Sequence, residues 1–179
     1  MAGIYIHIPF CKQRCNYCAF YSTTLYNIRE RYVDALCKEI AMRKEYAASA
    51  PIETIYFGGG TPSTLALEQL QKICNTIYDV HSVSPTAEVT IECNPDDLTP
   101  EFLTQLRRLP FNRISMGVQS FDDTQLKRLG RRHNAEKAQQ AVCNARSAGY
   151  TNISIDLMYA LPGSIKESWQ HDIETAIAL

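Results

Sequence analysis

Short apolar runs rich in β-branched residues alternate along this chain with longer stretches whose apolar residues recur at helical spacing. Gly3 to Ile8 reads as a buried strand ended by Pro9. Val33, Leu36, Cys37, Ile40 and Ala41 then predict a helix from about Asn27 to Ala48, which Pro51 breaks. Ile52 to Phe57 is a second strand, running directly into Gly58-Gly59-Gly60-Thr61-Pro62. Leu67, Leu70, Ile73, Cys74 and Ile77 mark one face of the next helix. Ala87 to Glu92 is a third strand, and Thr99-Pro100 supplies an N-cap with proline at the first helical position, opening a helix through about Arg108. Arg113 to Gly117 makes a fourth strand. Asp122 with Gln125 predicts a capping box opening a short helix that closes near Gly130. Asn134 caps a longer helix with Ala138, Ala141, Val142, Ala145 and Ala148 inward, stopped by Gly149. Ile153 to Met158 is a fifth strand. The last helix carries Trp169, Ile173, Ala176 and Ile177 in register.

Five strand–helix alternations with a period of about 35 residues imply right-handed βαβ units and a parallel sheet, hence an α/β fold. A doubly wound open sheet and a (β/α) barrel both satisfy the pattern, and both gather ligands at the carboxyl ends of the strands. No internal repeat, low-complexity tract or linker interrupts residues 1–179, so one domain is expected. The final residues lie inside a helical pattern with no terminating signal. This predicts a truncated chain whose fifth strand needs cover.

The polar residues concentrate where those strands end. The first is followed by Cys11, Cys15 and Cys18 at spacing CxxxCxxC, interleaved with Lys12, Gln13 and Arg14. Three thiolates converging on one centre can hold three irons of a [4Fe–4S] cube and leave the fourth open. Three ligands and a free position also mark catalytic zinc, and a structural zinc module on these cysteines, with His7 as a further candidate ligand, is an alternative. The other strand ends carry the triple glycine, then Glu92-Cys93-Asn94-Pro95, Gly117-Val118-Gln119-Ser120, and Asp156. Glu92 and Asp156 are carboxylates in apolar strands, costly to bury unless hydrogen-bonded or bound to a ligand. The glycines permit close backbone approach to a ligand, without the lysine of a P-loop or the spacing of a dinucleotide fingerprint. Arg131, in Gly-Arg-Arg-His, reads alone as a solvated charge, and His7 and His133 as structural.

Composition narrows the classes. Eighteen Lys and Arg against nineteen Asp and Glu give a net charge of −1, which favours neither nucleic acid nor an anionic membrane. No window approaches about 18 consecutive apolar residues, and the first residues lack a signal-peptide pattern, so a cytoplasmic protein without a transmembrane segment is expected. Seven cysteines in that setting predict reduced thiols. Cys37, Cys74 and Cys143 read as packed thiols within helices, and Cys93 needs no special role.

The motifs YIHIPFCKQRCNYC with FYS, IYFGGGTPS, IECNPDDL, RISMGVQSF, LGRRH and ISIDLMYALPG, in this order, resemble the radical S-adenosylmethionine proteins grouped with oxygen-independent coproporphyrinogen III oxidase. That resemblance implies a partial (β/α) TIM-like barrel of which five units are present. It implies a [4Fe–4S] cluster on Cys11, Cys15 and Cys18, with S-adenosylmethionine chelating the fourth iron. Cofactor contacts then map onto Tyr5, Tyr17, Gly59, Gly60, Thr61, Glu92, Gln119, Arg131 and Asp156. Reductive cleavage of the sulfonium would yield methionine and a 5′-deoxyadenosyl radical, with the protein positioning the cofactor and excluding water. No side chain is assigned a catalytic role of its own.

Within the group, oxidases resemble CxxxCxxCxC, whereas Phe20 stands here at the last cysteine position. The run CAFYS is similar to the HemW branch, which implies a haem chaperone; the oxidase reading, oxidative decarboxylation in porphyrin biosynthesis, is the alternative. The resemblance implies as partners haem or a porphyrinogen, a low-potential electron donor of flavodoxin or ferredoxin type, and a haem-accepting protein. It also implies that a haem-binding segment, a sixth strand and a carboxyl-terminal domain lie beyond Leu179.

Overall fold

All five apolar runs form strands of one sheet, and the sheet's order decides between the two architectures. The computed structural model describes residues 2–47 and 50–179. The strands are β1 (Ala2–Ile8), β2 (Ile52–Gly59), β3 (Val83–Cys93), β4 (Arg113–Gln119) and β5 (Asn152–Leu157). They lie in the order β1-β2-β3-β4-β5, every neighbouring pair parallel. A doubly wound sheet reverses its order at a switch point, whereas here each strand sits beside its predecessor, the arrangement of a (β/α) barrel. The helices between them are α1 (Arg29–Met42), α2 (Leu67–Val80), α3 (Pro100–Leu106), α4 (Asp123–Leu129) and α5 (Ala135–Ser147), and α6 (Lys166–Ala178) follows β5.

The strands alternate, and that alternation gives the sheet two unlike faces. Ile6, Ile8, Ile55, Phe57, Val89, Ile91, Ile114, Met116 and Val118 are buried in one core with Val33, Leu70, Ile73, Leu103, Ala141 and Ala145 of the helices. Each large side chain so buried contributes about 1.5–3 kcal/mol. The opposite face, offset by one residue, carries Tyr5, His7, Tyr56, Glu92, Ser115, Gly117, Ser154 and Asp156. Polar groups on that face bond across strands: Arg113 donates to Thr90 Oγ1 at 3.3 Å and to Ser154 Oγ at 3.0 Å.

Several boundaries depart from expectation. Helix α1 ends at Met42 and a separate turn follows at Lys44–Ala47; Ala48 lies outside the described residues. Ile40 is the last buried residue of the helix; Ala41, expected on the apolar face, is exposed like Met42, and Ala47 of the following turn packs against the core instead. Strand β3 starts four residues early, at Val83 rather than Ala87. Its register against β2 slips between Ile52 and Thr54, where the added β3 stretch includes Pro85, which has no N–H for a regular ladder. Each N-cap forms: Thr99 accepts from Phe102 N–H at 3.2 Å, Asp122 from Thr124 N–H at 2.7 Å, and Asn134 from Lys137 N–H at 2.9 Å. The capping box expected of Asp122 with Gln125 does not, because the Asp122 N–H donates to Ser120 Oγ at 3.0 Å instead.

The reading of the last helix is corrected. Trp169 and Ala176 are partly buried, Ala176 against the core, but Ile177 is 80 % exposed and Ile173 is exposed too, while the buried residue of α6 is Asp172. β5 is an edge strand with β4 as its one sheet neighbour, so the predicted apolar stripe has little sheet to pack against. Cys143 is also corrected. It is exposed, because α5 turns Ala138, Ala141, Val142 and Ala145 inward instead. Cys74 is buried, and burial pushes its thiol up to about 12; Cys37 is partly buried against the core.

Candidate functional site

The cysteine loop between β1 and α1 is held by main chain and side chains from three other units. Cys11 N–H donates to Thr23 O at 3.0 Å, and Asn16 N–H to Leu129 O at 3.1 Å. The Gln13 amide donates to Gly130 O at 3.1 Å. Lys12 pairs with Asp97, whose side chain is only 3 % exposed and also accepts from Ser63 Oγ at 2.8 Å. The glycines of β2 serve this same junction. A Cβ at Gly60 would lie 2.8 Å from Pro9 C, and Gly60 N–H donates to Ile8 O at 2.8 Å. Gly59 adopts φ 112°, and a Cβ there would strike the His7 ring at 2.5 Å. Gly59 and Gly60 therefore make their close approach to the protein's own β1 and the loop that follows it, whereas a Cβ at Gly58 would meet Tyr56 and Glu92.

The loop roofs a cavity of about 320 Å³ at the carboxyl ends of the strands. Cys11, Cys15 and Cys18 line it together with Tyr17, Gly59, Gly60, Thr61, Glu92, Gln119, Arg131 and Asp156. Tyr5 is the exception among the residues named from the sequence. It is 59 % exposed and lines a neighbouring cavity, meeting the site through its ring, stacked on Tyr56 at 6.0 Å.

Tyr56 is a site residue that sequence reasoning missed. Its hydroxyl donates to Glu92 Oε1 at 2.8 Å, while Gly59 N–H donates to Oε2 at 3.1 Å. Strand alternation was the available signal, since Tyr56 sits between buried Ile55 and Phe57 and faces the polar side. Burial, then the bond to Glu92, pushes the Tyr56 phenol up to about 12, so it stays a donor. Burial raises the Glu92 carboxyl, and the Tyr56 and Gly59 bonds oppose that rise. Asp156 is likewise raised by burial, against the pull of Arg113 and Arg131.

Arg131, a solvated charge on the bare sequence, is instead a hub. It donates to Gly117 O and to Asn94 Oδ1 at 2.6 Å, and its Nη1 lies 3.4 Å from Cys15 Sγ. Its Nε is buried without a partner among the described residues. Asn94 in turn donates to Thr61 Oγ1 at 3.2 Å, and Thr61 Oγ1 reaches Cys11 Sγ at 3.6 Å. His133 fits its structural reading. Its Nε2 donates to Val118 O at 3.0 Å, and burial beside Arg131 lowers its pKa to about 4, keeping it neutral. That carbonyl belongs to a bulge: the β4–β5 register slips between Gly117 and Gln119, and Gln119 takes φ 76°. Bulges beside active sites re-aim side chains.

These residues fit an iron–sulfur cluster. Three thiols face one cavity, with the Arg131 guanidinium beside Cys15 and the Thr61 hydroxyl beside Cys11. Burial, helped by the neighbouring Cys18 and Cys15, holds the Cys11 thiol above its ordinary value, while hydrogen bonds to Thr61 and Ser22 oppose that rise. Among the described residues no three His, Cys, Asp or Glu side chains are gathered closely enough to hold a single metal ion. Cys93 also borders the cavity, but its thiol is buried and raised, and it points at its own strand, 3.9 Å from Ile91 O.

The fold and this site define a class. The Radical SAM superfamily model matches residues 5–176, and the chain belongs to that superfamily, whose common equipment is a [4Fe–4S] cluster and S-adenosylmethionine. Among curated relatives, the heme chaperone HemW of Bacillus subtilis is 39% identical over 181 residues, covering all of this chain and 48% of its own. HemW of Escherichia coli is 36% identical, covering 99% of this chain and 47% of its own. The structure of E. coli coproporphyrinogen III oxidase, HemN, described as a radical SAM enzyme, superposes with a TM-score of 0.88 at 32% identity, over 96% of this chain and 40% of that one. The chain thus spans about half the length of the curated relatives it matches. No helix of the described residues is long and apolar enough to cross a membrane.

Proposed function

We propose that Cys11, Cys15 and Cys18 hold a [4Fe–4S] cluster whose fourth iron is left for S-adenosylmethionine, and that residues 1–179 are the radical SAM core domain of a HemW-like haem chaperone. The observation that carries the first part is the meeting of three thiols with Glu92, Gln119, Arg131 and Asp156 in one cavity. When bound, the cluster supplies one-electron reduction of the sulfonium. The chain's own residues bind and orient: Glu92, fixed by Tyr56 and Gly59, and Asp156 suit ribose hydroxyls or the ammonium. Thr61 and the Gly59–Gly60 backbone suit the methionyl end, and the cysteine loop with Tyr17 keeps water from the cavity.

The chaperone reading is supported by the named HemW relatives and by Phe20, which lines the cavity mouth where oxidases carry a further cysteine. Haem and a haem-accepting protein are its partners, a flavodoxin- or ferredoxin-like protein its electron donor, and the cytoplasm its compartment. The likeness to HemN favours a second reading, porphyrinogen decarboxylation.

Electron paramagnetic resonance of anaerobically reconstituted, reduced protein tests the core. A cluster signal that shifts on adding S-adenosylmethionine is expected; an unchanged spectrum, or no iron, overturns the proposal. Absorbance titration with haem in a protein of the relatives' full length separates the readings. Haem binding without vinyl product from coproporphyrinogen III supports the chaperone, whereas product and 5′-deoxyadenosine support the oxidase.

A further inference from the structure

The turn after β4, which presents Gln119 to the cavity, is held from outside the cavity by the last helix. Asp172 of α6 is 4 % exposed. Its Oδ1 accepts from Phe121 N–H at 2.6 Å and its Oδ2 from Ser120 Oγ at 2.9 Å. Ser120 Oγ accepts in turn from Asp122 N–H at 3.0 Å, and Asp122 caps α4. One carboxylate therefore fixes three consecutive residues. On one side of them stands Gln119, in its left-handed conformation at the bulge; on the other, α4 leads through Gly130 to Arg131. Asp172 itself is not part of the cavity wall.

The choice of residue is informative. A buried carboxylate is expensive, and a well-packed apolar side chain would stabilise the same contact more. Yet α6 leaves Ile173 and Ile177 exposed and turns its aspartate inward. An apolar residue could fill the space, but it could not accept from the Phe121 N–H or the Ser120 hydroxyl. Those two donors fix the direction of the turn, and a non-glycine residue at φ 76° persists only where its surroundings over-determine it.

We infer that Asp172 is a positioning residue of the cofactor site: by holding Ser120 and Phe121 it keeps Gln119 and Arg131 aimed at the cavity, so S-adenosylmethionine affinity depends on a carboxylate that does not touch the cofactor. This rests on the proposed cofactor assignment.

The test uses the reconstituted chain, with iron and sulfide content measured beside the dissociation constant for S-adenosylmethionine, read from its effect on the spectrum of the reduced cluster. Asp172→Ala is expected to keep the wild-type cluster content and to weaken affinity about tenfold, the scale set by one buried hydrogen bond to a charged group. Asp172→Asn retains an acceptor for Phe121 N–H and is expected to recover most of the loss. In a Gln119→Ala background the Asp172→Ala effect should shrink, because the two residues act through one element. Wild-type affinity in Asp172→Ala, equal losses in the Ala and Asn variants, or strict additivity with Gln119→Ala would each overturn the inference. If Asp172→Ala does not fold, Ser120→Ala decides by the same readouts: weakened affinity at full cluster content supports the inference, and unchanged affinity overturns it. A wild-type protein whose cluster ignores S-adenosylmethionine overturns the functional proposal, and the inference with it, before any variant is compared.

Discussion

At the scale of single residues, the site sorts its cysteines by surroundings rather than by number. Cys11, Cys15 and Cys18 are partly exposed on one loop, facing a cavity with a guanidinium and a hydroxyl beside two of them. Cys74 and Cys93 are buried with raised thiols, which suits small apolar residues and not thiolate ligands. This difference yields a paired prediction. Cys15→Ala should abolish cluster retention, and Cys37→Ala, on α1 and partly buried against the core, should leave it intact. Iron analysis after anaerobic reconstitution checks both; equal iron in the two variants contradicts the assignment. Polar partners at this scale were the least legible in the sequence. Arg131 meets Cys15 across 116 positions, Tyr56 meets Glu92 across 36, and Asp172 meets Ser120 across 52. Nothing local in the chain announces such pairs, because only tertiary packing creates them.

At the scale of elements, legibility followed the strength of the local pattern. The caps of α3, α4 and α5 are short-range hydrogen bonds, so Thr99, Asp122 and Asn134 could be read directly and are found as read. The strands were found, but taken as continuous apolar runs. Their period-two alternation carries the polar face, and with it Tyr56. The stripe of α6 misled because periodicity identifies a helix without saying what lies beneath it. The triple glycine does work the sequence did not announce: besides lining the cavity, Gly59 and Gly60 pack their backbone against β1 and the loop after it. Gly59→Ala should therefore destabilise the protein by about 1–3 kcal/mol, from the left-handed φ and the clash with His7. Urea unfolding measures it, and an unchanged midpoint would show that β1 can move aside at little cost.

At the scale of the whole molecule, the sequential sheet collects charge from distant strands at one rim. Glu92 of β3 and Asp156 of β5 are both raised by burial, and each is a like charge to the other. The sign of the consequence is definite. A carboxyl whose folded-state pKa exceeds its ordinary value of 4.5 gives stability that is present below that value and lost as pH rises through the raised one. Without cofactor, Glu92→Gln should thus be more stable than the parent at about pH 7, and the advantage should vanish near about pH 4. Urea midpoints at the two pH values test this, and an advantage of equal size at both would remove electrostatics as its cause. Such a cost at rest is common where a site awaits a ligand.

The neighbour-to-neighbour strand order also bears on how the molecule is born. Each strand finds its partner in the unit synthesised just before it, so no pairing in the sheet waits for distant chain, and closure entropy is met in small steps. On a ribosome the thiols emerge early, with Arg131, Asp156 and Asp172 still to come. Metal delivered to the nascent chain would meet bare cysteines before Arg131 and Asp156 complete the cavity wall, and the clamp inferred for Asp172 would form only when the sixth helix docks.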